Sequence, residues 1–349
     1  MDKKFKILLI CGASAFLAGP LLYLFLEGTD AVKAIVAALV ISLIAAAGIF
    51  AAATFLRAKD KKVRIASYTA IVITALFALF CLTIISLAPR VLFYPGFEEE
   101  SYNRLLTMED SGRPKPEWVE TESGIRGWKL PAKGIPDHTM RPAVLFFGGN
   151  GMESSTFIEN YVIKDDATYG GLTEKCDLIF LDYPQYGKSE GDLDVKGLKK
   201  MALDAFDYVS SCVEYDRIIV MGYSLGTGLA TYVASERTDM VDGLILMAPY
   251  ENSYDLYNNV INIFHGPLKL LVTYNLDSGS FAKKVTCPTL IFASPEDEVI
   301  PYGSSRRLFA DFTKSSVNFV TAGSNKHNDF MKDANVFSQA GKFAWEVKR

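Results

Sequence analysis

The hydrophobic pattern divides the chain into two parts at about residue 97. Before that point, three uncharged apolar runs cover residues 7–26, 34–56 and 65–88, and each is long enough to cross a bilayer as a helix. The runs are apolar on every face, whereas a helix at the surface of a soluble core carries a polar stripe. We therefore predict a membrane region, residues 1–97, with three transmembrane helices.

The first apolar run has an alternative interpretation as a cleaved signal peptide. Its length, and the two further runs that follow it directly, favour a helix that is retained.

Beyond residue 116, short apolar runs alternate with longer helix-forming segments. Such alternation is typical of the α/β class, with a mostly parallel sheet covered by helices on both faces. We expect one domain of ordinary size over residues 117–349, a hinge over 98–116 and a small lid over 250–288. The eight predicted strands are 118–122, 125–130, 143–147, 178–183, 217–221, 244–247, 289–293 and 316–321.

A Gly-x-Ser-x-Gly sequence, Gly222 to Gly226, stands between a predicted strand and the predicted helix 227–235. This context is typical of a nucleophile elbow, a strained turn that exposes a serine hydroxyl. Gly222 and Gly226 leave room for the strand and the helix to pack closely. We predict that Ser224 is the nucleophile of an acyl transfer, with the Leu225 N–H directed at the oxyanion.

Two downstream residues make this motif more specific, because a chain with 26 glycines also produces such strings by chance. Asp297 follows one predicted strand and His327 follows another, so parallel strands would bring both to one edge of the sheet. The chain order is Ser, Asp, His, with spacings of 73 and 30 residues. His327 is the predicted general base, since His138 lies in a polar loop and His265 at a predicted helix end.

A second glycine-rich loop follows the predicted strand 143–147. Gly148 and Gly149 would allow close approach of the backbone to a substrate, and the Asn150 N–H is the predicted second donor of an oxyanion hole. The alternative is an ordinary glycine-rich turn.

Residues from about 117 to 345 resemble the α/β-hydrolases, and within them the membrane-anchored hydrolases related to α/β-hydrolase-domain depalmitoylases and their bacterial counterparts. The motifs that carry the resemblance are residues 147–151, 182–191, 222–226 and 327–329. The resemblance implies the α/β-hydrolase fold. It also favours Asp297 over the adjacent Glu296 and Glu298, through the family's Asp-x-x-Ile/Val-Pro spacing. One departure is Gly148, which stands where the family usually has a histidine.

Charge and composition exclude several classes of partner. Residues 1–97 carry 10 basic and 4 acidic residues, and the remainder is acidic, which argues against nucleic acid. The sequence has no Cys/His or His-Glu-x-x-His cluster, so we predict no metal and no cofactor. Gly187-Lys188-Ser189 is not a P-loop end, because Asp182 stands where that motif requires glycine.

Basic residues flank the first run and fill the loop at 57–64, which predicts that both lie in the cytoplasm. Three spans would then place the catalytic domain outside. We therefore expect a multi-pass protein of the cell membrane, with the lipid bilayer as a partner and an extracytoplasmic hydrolase domain.

The predicted function is a serine hydrolase that cleaves ester or thioester bonds, as an esterase, lipase or thioesterase does. The alternatives are a serine peptidase or amidase on the same triad and a non-catalytic membrane binding module. The presence of Ser224, Asp297 and His327 together disfavours the last. The apolar lid residues either line an acyl pocket or pack the lid onto the sheet: Tyr254, Leu256, Tyr257, Val260, Ile263, Phe264, Leu268, Leu271 and Tyr274.

Overall fold

The computed structural model describes residues 46, 48–50, 53–109, 114–136, 139–260, 262–272 and 274–347. The chain divides into two compact units. One comprises Met1–Leu92 with Ile261–Tyr274, and the other comprises Phe93–Val260 with Asn275–Arg349.

The first unit contains helix α1, Lys61–Leu92, and a short 3-10 helix, Gly266–Leu271, which contacts it. Among residues described together with their side chains, no helix is both long enough and apolar enough to cross a membrane. The predicted span 7–26 lies outside the described residues, and most of 34–56 does too. The predicted span 65–88 falls within α1. The three predicted spans are thus not supported by the described residues.

The second unit is built on an eight-stranded sheet with the order β1-β2-β4-β3-β5-β6-β7-β8. Strands β1–β2 and β2–β4 pair antiparallel, and all other neighbours pair parallel. The strands are β1 Glu117–Glu120, β2 Arg126–Leu130, β3 Arg141–Phe147, β4 Asp177–Leu181, β5 Tyr215–Tyr223, β6 Gly243–Met247, β7 Thr289–Ala293 and β8 Val317–Thr321. The predicted α/β-hydrolase fold, with its mostly parallel sheet of eight strands, is confirmed.

The helices follow the strands in the alternation that the sequence predicts. They are α2 Glu99–Thr107, α3 Ser154–Phe157, α4 Asp166–Thr173, α5 Val195–Ser210, α6 Gly226–Glu236, α7 Ser253–Val260, α8 Ser278–Ala282, α9 Tyr302–Asp311 and α10 Ala334–Glu346. A π-helix, Ile158–Ile163, continues α3, and a 3-10 helix, His327–Lys332, precedes α10.

Helix α2 lies within the segment 98–116 that the sequence predicts as a hinge. Arg104 of α2 makes a bidentate ion pair with Glu159 of the π-helix, with Nε–Oε1 2.6 Å and Nη2–Oε2 2.9 Å. Part of the predicted hinge is therefore a helix bound to the hydrolase unit.

Four central strands, β3, β4, β6 and β7, are buried along their whole length, as their continuous apolar sequences require. Parallel strands deliver the residues that follow them to one edge of the sheet. The loops after β3, β5, β7 and β8 hold Asn150, Ser224, Asp297 and His327. The topology thus gathers the predicted site residues at the carboxyl edge.

Candidate active site

Ser224 occupies a sharp turn between β5 and α6. Its φ of 50° lies in the left-handed region, which is strained for a residue with a side chain. A Cβ on Gly222 would lie 2.7 Å from the Gly226 carbonyl oxygen, and one on Gly226 would overlap the Phe147 carbonyl oxygen. The close packing of strand on helix therefore requires glycine at both positions, as the motif predicts.

Ser224, His327 and Asp297 form one hydrogen-bonded series. His327 Nε2 lies 2.8 Å from Ser224 Oγ, and His327 Nδ1 lies 3.0 Å from both carboxylate oxygens of Asp297. All three residues are buried. With Nδ1 protonated toward the carboxylate, Nε2 presents a lone pair to the serine hydroxyl, which is the arrangement that a general base needs.

Among the adjacent acidic residues after β7, Asp297 and Glu298 differ in their hydrogen bonds. Asp297 Oδ1 accepts the main-chain N–H groups of Val299 and Ile300, both at 2.8 Å, which holds the carboxylate against the imidazole. Glu298 Oε2 accepts the main-chain N–H of His327 at 3.1 Å, and the pKa of Glu298 is lowered by its own main-chain N–H and by that of His327. Asp297 contacts the histidine ring, and Glu298 supports the histidine backbone.

Tyr223 is a site residue that sequence reasoning missed. Its ring stacks on the His327 ring with centroids 5.2 Å apart, and its hydroxyl donates to the His327 carbonyl oxygen at 3.0 Å. Burial raises the pKa of Tyr223, so the hydroxyl stays a neutral donor. Tyr223, which directly precedes Ser224 in the chain, therefore holds His327 in position. Its only sequence signal is its place inside the Gly-x-Ser-x-Gly motif.

The main-chain N–H groups near Ser224 differ in whether they already have a hydrogen-bond acceptor. The Gly149 N–H points at Met152 Sδ, 3.0 Å away. For the N–H groups of Asn150 and Leu225, the structure records no acceptor among the described residues. Among the described residues, neither of these two N–H groups is therefore used by the protein's own hydrogen bonds.

Gly148, where the resembled family has histidine, has a steric explanation. A Cβ there would lie 2.6 Å from the Phe180 ring, and one on Gly149 would lie 2.9 Å from the Tyr223 ring. Both glycines are required by the aromatic side chains beneath the loop.

A cavity of about 490 Å³ opens beside Ser224 and His327. Apolar and aromatic side chains alternate with a few polar groups along its wall. The other lining residues are Asn150, Gly151, Met152, Glu153, Thr156, Phe157, Tyr161, Tyr223, Val299, Asn328, Met331 and Lys332. Within the hydrolase unit, these described residues come from the carboxyl end of β5, from the loops after β3, β7 and β8 and from α3 with its π-helical continuation.

The chain has two further histidines, His138 and His265. His138 lies outside the described residues, and His265 belongs to the first unit, where its Nε2 lies 2.6 Å from Asn262 Oδ1. His265 precedes a 3-10 helix and does not end an α-helix as predicted. Within the described ranges, no group of three or more His, Cys, Asp or Glu side chains could hold a metal ion.

Comparison with known proteins agrees with this architecture. Residues 142–271 match the sequence model of a family described as having the α/β hydrolase fold. An uncharacterized membrane protein of Saccharomyces cerevisiae is 28% identical over 250 residues, which cover 68% of this chain and 82% of that protein. The lysophosphatidylserine lipase ABHD12 of Macaca fascicularis is 29% identical over 147 residues, 38% of this chain and 37% of the lipase.

A solved structure shares the fold. Est1E from Butyrivibrio proteoclasticus, determined with ferulic acid bound, superposes with a TM-score of 0.52 over 65% of this chain and 97% of Est1E. At 17% sequence identity the likeness concerns the fold alone.

Proposed function

We propose that this chain, which has the α/β-hydrolase fold, is a serine hydrolase that cleaves ester or thioester bonds through an acyl-enzyme on Ser224. The single observation that carries the proposal is the hydrogen-bonded series of Ser224, His327 and Asp297. A strained, glycine-flanked serine beside a buried imidazole and carboxylate is the arrangement that nucleophilic acyl transfer uses.

In the proposed first step, Ser224 Oγ attacks the carbonyl carbon of the substrate while His327 Nε2 takes the hydroxyl proton. The imidazolium that forms is stabilised by the Asp297 carboxylate, 3.0 Å from Nδ1. Nε2 then gives its proton to the departing alcohol or thiol. A water molecule, activated by the same nitrogen, hydrolyses the acyl-enzyme and regenerates Ser224.

The negative charge that develops on the carbonyl oxygen is assigned to the N–H groups of Asn150 and Leu225. Donors fixed before the reaction stabilise the transition state more than the ground state, because they need no reorganisation. Leu225 directly follows the nucleophile and Asn150 lies in the loop after β3, which are the usual two sources of such donors.

The cavity beside Ser224 supports a substrate class. Phe157, Met152, Val299 and Met331 give its wall an apolar surface suited to an acyl chain. A curated relative named as a lysophosphatidylserine lipase also favours a lipid-like acyl ester. We propose acyl esters or thioesters as substrates.

A substrate panel tests the proposal. The full chain in detergent is incubated with p-nitrophenyl esters of increasing acyl length, the matching thioesters, and aminoacyl p-nitroanilides. Hydrolysis of esters and labelling by a fluorophosphonate probe are expected, both absent from Ser224→Ala. Turnover of the anilides alone would favour the peptidase or amidase, and a folded chain without labelling would favour the binding module.

We also propose that residues 1–97 anchor the hydrolase in the cell membrane, with the domain on the extracytoplasmic side. The support is the sequence of three apolar runs with basic flanks. Large apolar side chains of α1 are also exposed, with Ile73 and Leu76 each 61% accessible. Fractionation tests the anchoring. The full chain is expected with membranes and resistant to carbonate extraction, and recovery in the soluble fraction would contradict it.

A further inference from the structure

Two tyrosines of one turn contact the loop 148–151 from behind. Tyr183 Oη donates to the Gly148 carbonyl oxygen at 2.5 Å, and Tyr186 Oη lies 3.4 Å from Asn150 Oδ1. The two rings pack edge to face with centroids 5.5 Å apart, and both are fully buried. The loop is therefore held at its first and third residues by one rigid aromatic pair.

The main chain of Tyr94 is the third member of this cluster. Its N–H lies 3.1 Å from Asn150 Oδ1 and 2.9 Å from Tyr186 Oη. The carboxamide oxygen of Asn150 thus faces two donors, a hydroxyl and a main-chain N–H. Tyr94 makes these contacts through its main chain, and the residue is 60% exposed.

The turn after β4, which contains both tyrosines, also fixes the segment 93–97. The Gly187 N–H donates to the Gly96 carbonyl oxygen at 2.8 Å, and Lys188 Nζ lies 5.2 Å from the centroid of the Phe97 ring. Phe93 is buried. The turn after β4 therefore joins the chain at 93–97 to the glycine-rich loop.

We infer that Tyr186 and the Tyr94 main chain are positioning groups for the oxyanion hole, an inference that rests on the proposed function. They hold the Asn150 carboxamide, and through it the orientation of the Asn150 N–H. Glycines lie on both sides of Asn150, and Gly151 adopts a φ of 71°. Without the clamp on the side chain, this flexible loop would turn the N–H away from the substrate oxygen.

Two substitutions in the full chain separate positioning from a role in folding. Asn150→Ala keeps the N–H and removes the carboxamide at an exposed site, and Tyr186→Phe removes one hydroxyl from a buried ring. In each, we expect kcat for the best ester to fall about tenfold with KM within about twofold, because an oxyanion donor acts in the transition state. The double variant is expected to be no slower than either single variant, since each substitution removes the same hydrogen bond between Tyr186 and Asn150.

The matched control is Tyr215→Phe. The Tyr215 hydroxyl is 3.2 Å from Asp177 Oδ2, at the amino end of β5 and far along the strand from Ser224. Its loss removes one tyrosine hydrogen bond without touching the loop, so wild-type kcat is expected. A trifluoromethyl ketone that forms an anionic adduct with Ser224 gives a second measurement, with inhibition about tenfold weaker in the two loop variants.

The outcomes are distinct. Wild-type kcat and inhibition in both loop variants would overturn this inference alone, as would effects of the two substitutions that multiply. A wild-type chain without Ser224-dependent turnover would overturn the proposed function and this inference together. If Tyr186→Phe fails to fold, Asn150→Ala at its exposed position decides the question.

Discussion

The hydroxyl of Ser224 lies 2.8 Å from the imidazole of His327, which makes its removal the most direct test of the proposed chemistry. Ser224→Ala is expected to lower kcat by about 10⁶, because a triad acts as a unit, while the fold is kept. The measurement is ester turnover in detergent, with circular dichroism as the folding control. Unchanged turnover in a folded variant would contradict the nucleophile.

Asp297 and Glu298 provide a matched pair of acidic residues. Asp297→Asn is expected to lower kcat by about 10⁴, because an amide no longer selects the tautomer with Nδ1 protonated. Glu298→Gln keeps an oxygen that can accept the His327 main-chain N–H, so its kcat should stay within a few-fold of wild type. Steady-state kinetics of the two variants check this, and the reverse ranking would identify Glu298 as the acid.

The residues of the candidate triad were predictable from the sequence. The residues that hold the site in place through long-range contacts were not. Ser224, Asp297 and His327 stand in loops directly after strands, where residue type and spacing are readable. The contacts of Tyr94 with Asn150 and Tyr186 join residues 56 and 92 positions apart along the chain. No local pattern encodes such contacts, because they depend on how the turn after β4 folds back.

At the scale of elements, the strands were predictable because their apolar runs are short and are bounded by turns. The predicted strand 289–293 matches β7 residue for residue, and the others differ at their ends by up to two residues. Helix α2 was missed, since its sequence is polar and only two of its residues are buried. Tertiary contacts hold α2 in place: Leu105 is buried, the Tyr102 ring packs on the Trp118 ring with centroids 4.9 Å apart, and Arg104 pairs with Glu159.

That ion pair gives an element-scale prediction. Arg104 holds the pKa of the Glu159 carboxyl down, to about 2, chiefly through its hydrogen bonds. Because this pKa is lowered on folding, the pair stabilises the protein fully above the unfolded value of about 4.3, and the stabilisation is lost as the pH falls through about 2.

Arg104→Met is accordingly expected to lower the free energy of unfolding at neutral pH by more than the control substitution below, and by progressively less below about pH 4. Thermal unfolding in detergent across this range measures it. Lys200→Met, which breaks the exposed ion pair with Asp204, is the control and should cost only a few tenths of a kcal/mol, roughly. Equal effects of both substitutions would contradict a special role for the α2 contact.

For the whole molecule, the proposed membrane anchor carries a prediction about the side on which the hydrolase unit lies. Protease added to intact cells or spheroplasts is expected to cut within 98–116, at residues 108–116 that follow α2, and to release the domain. The physical reason is the basic loop at 57–64, which the positive-inside rule predicts on the cytoplasmic side. Protection until the membrane is permeabilised would place the domain inside.

The order of the strands also determines when, during synthesis, the site can exist. Ser224 lies in a turn at the middle of the sheet, whereas His327 follows the edge strand β8. A ribosome makes the nucleophile about a hundred residues before its base, and domains fold as their chain emerges. On the proposed mechanism, the newly made chain therefore carries an unactivated serine until β8 is in place, and reactivity of Ser224 toward a serine-directed probe would report that the sheet is complete.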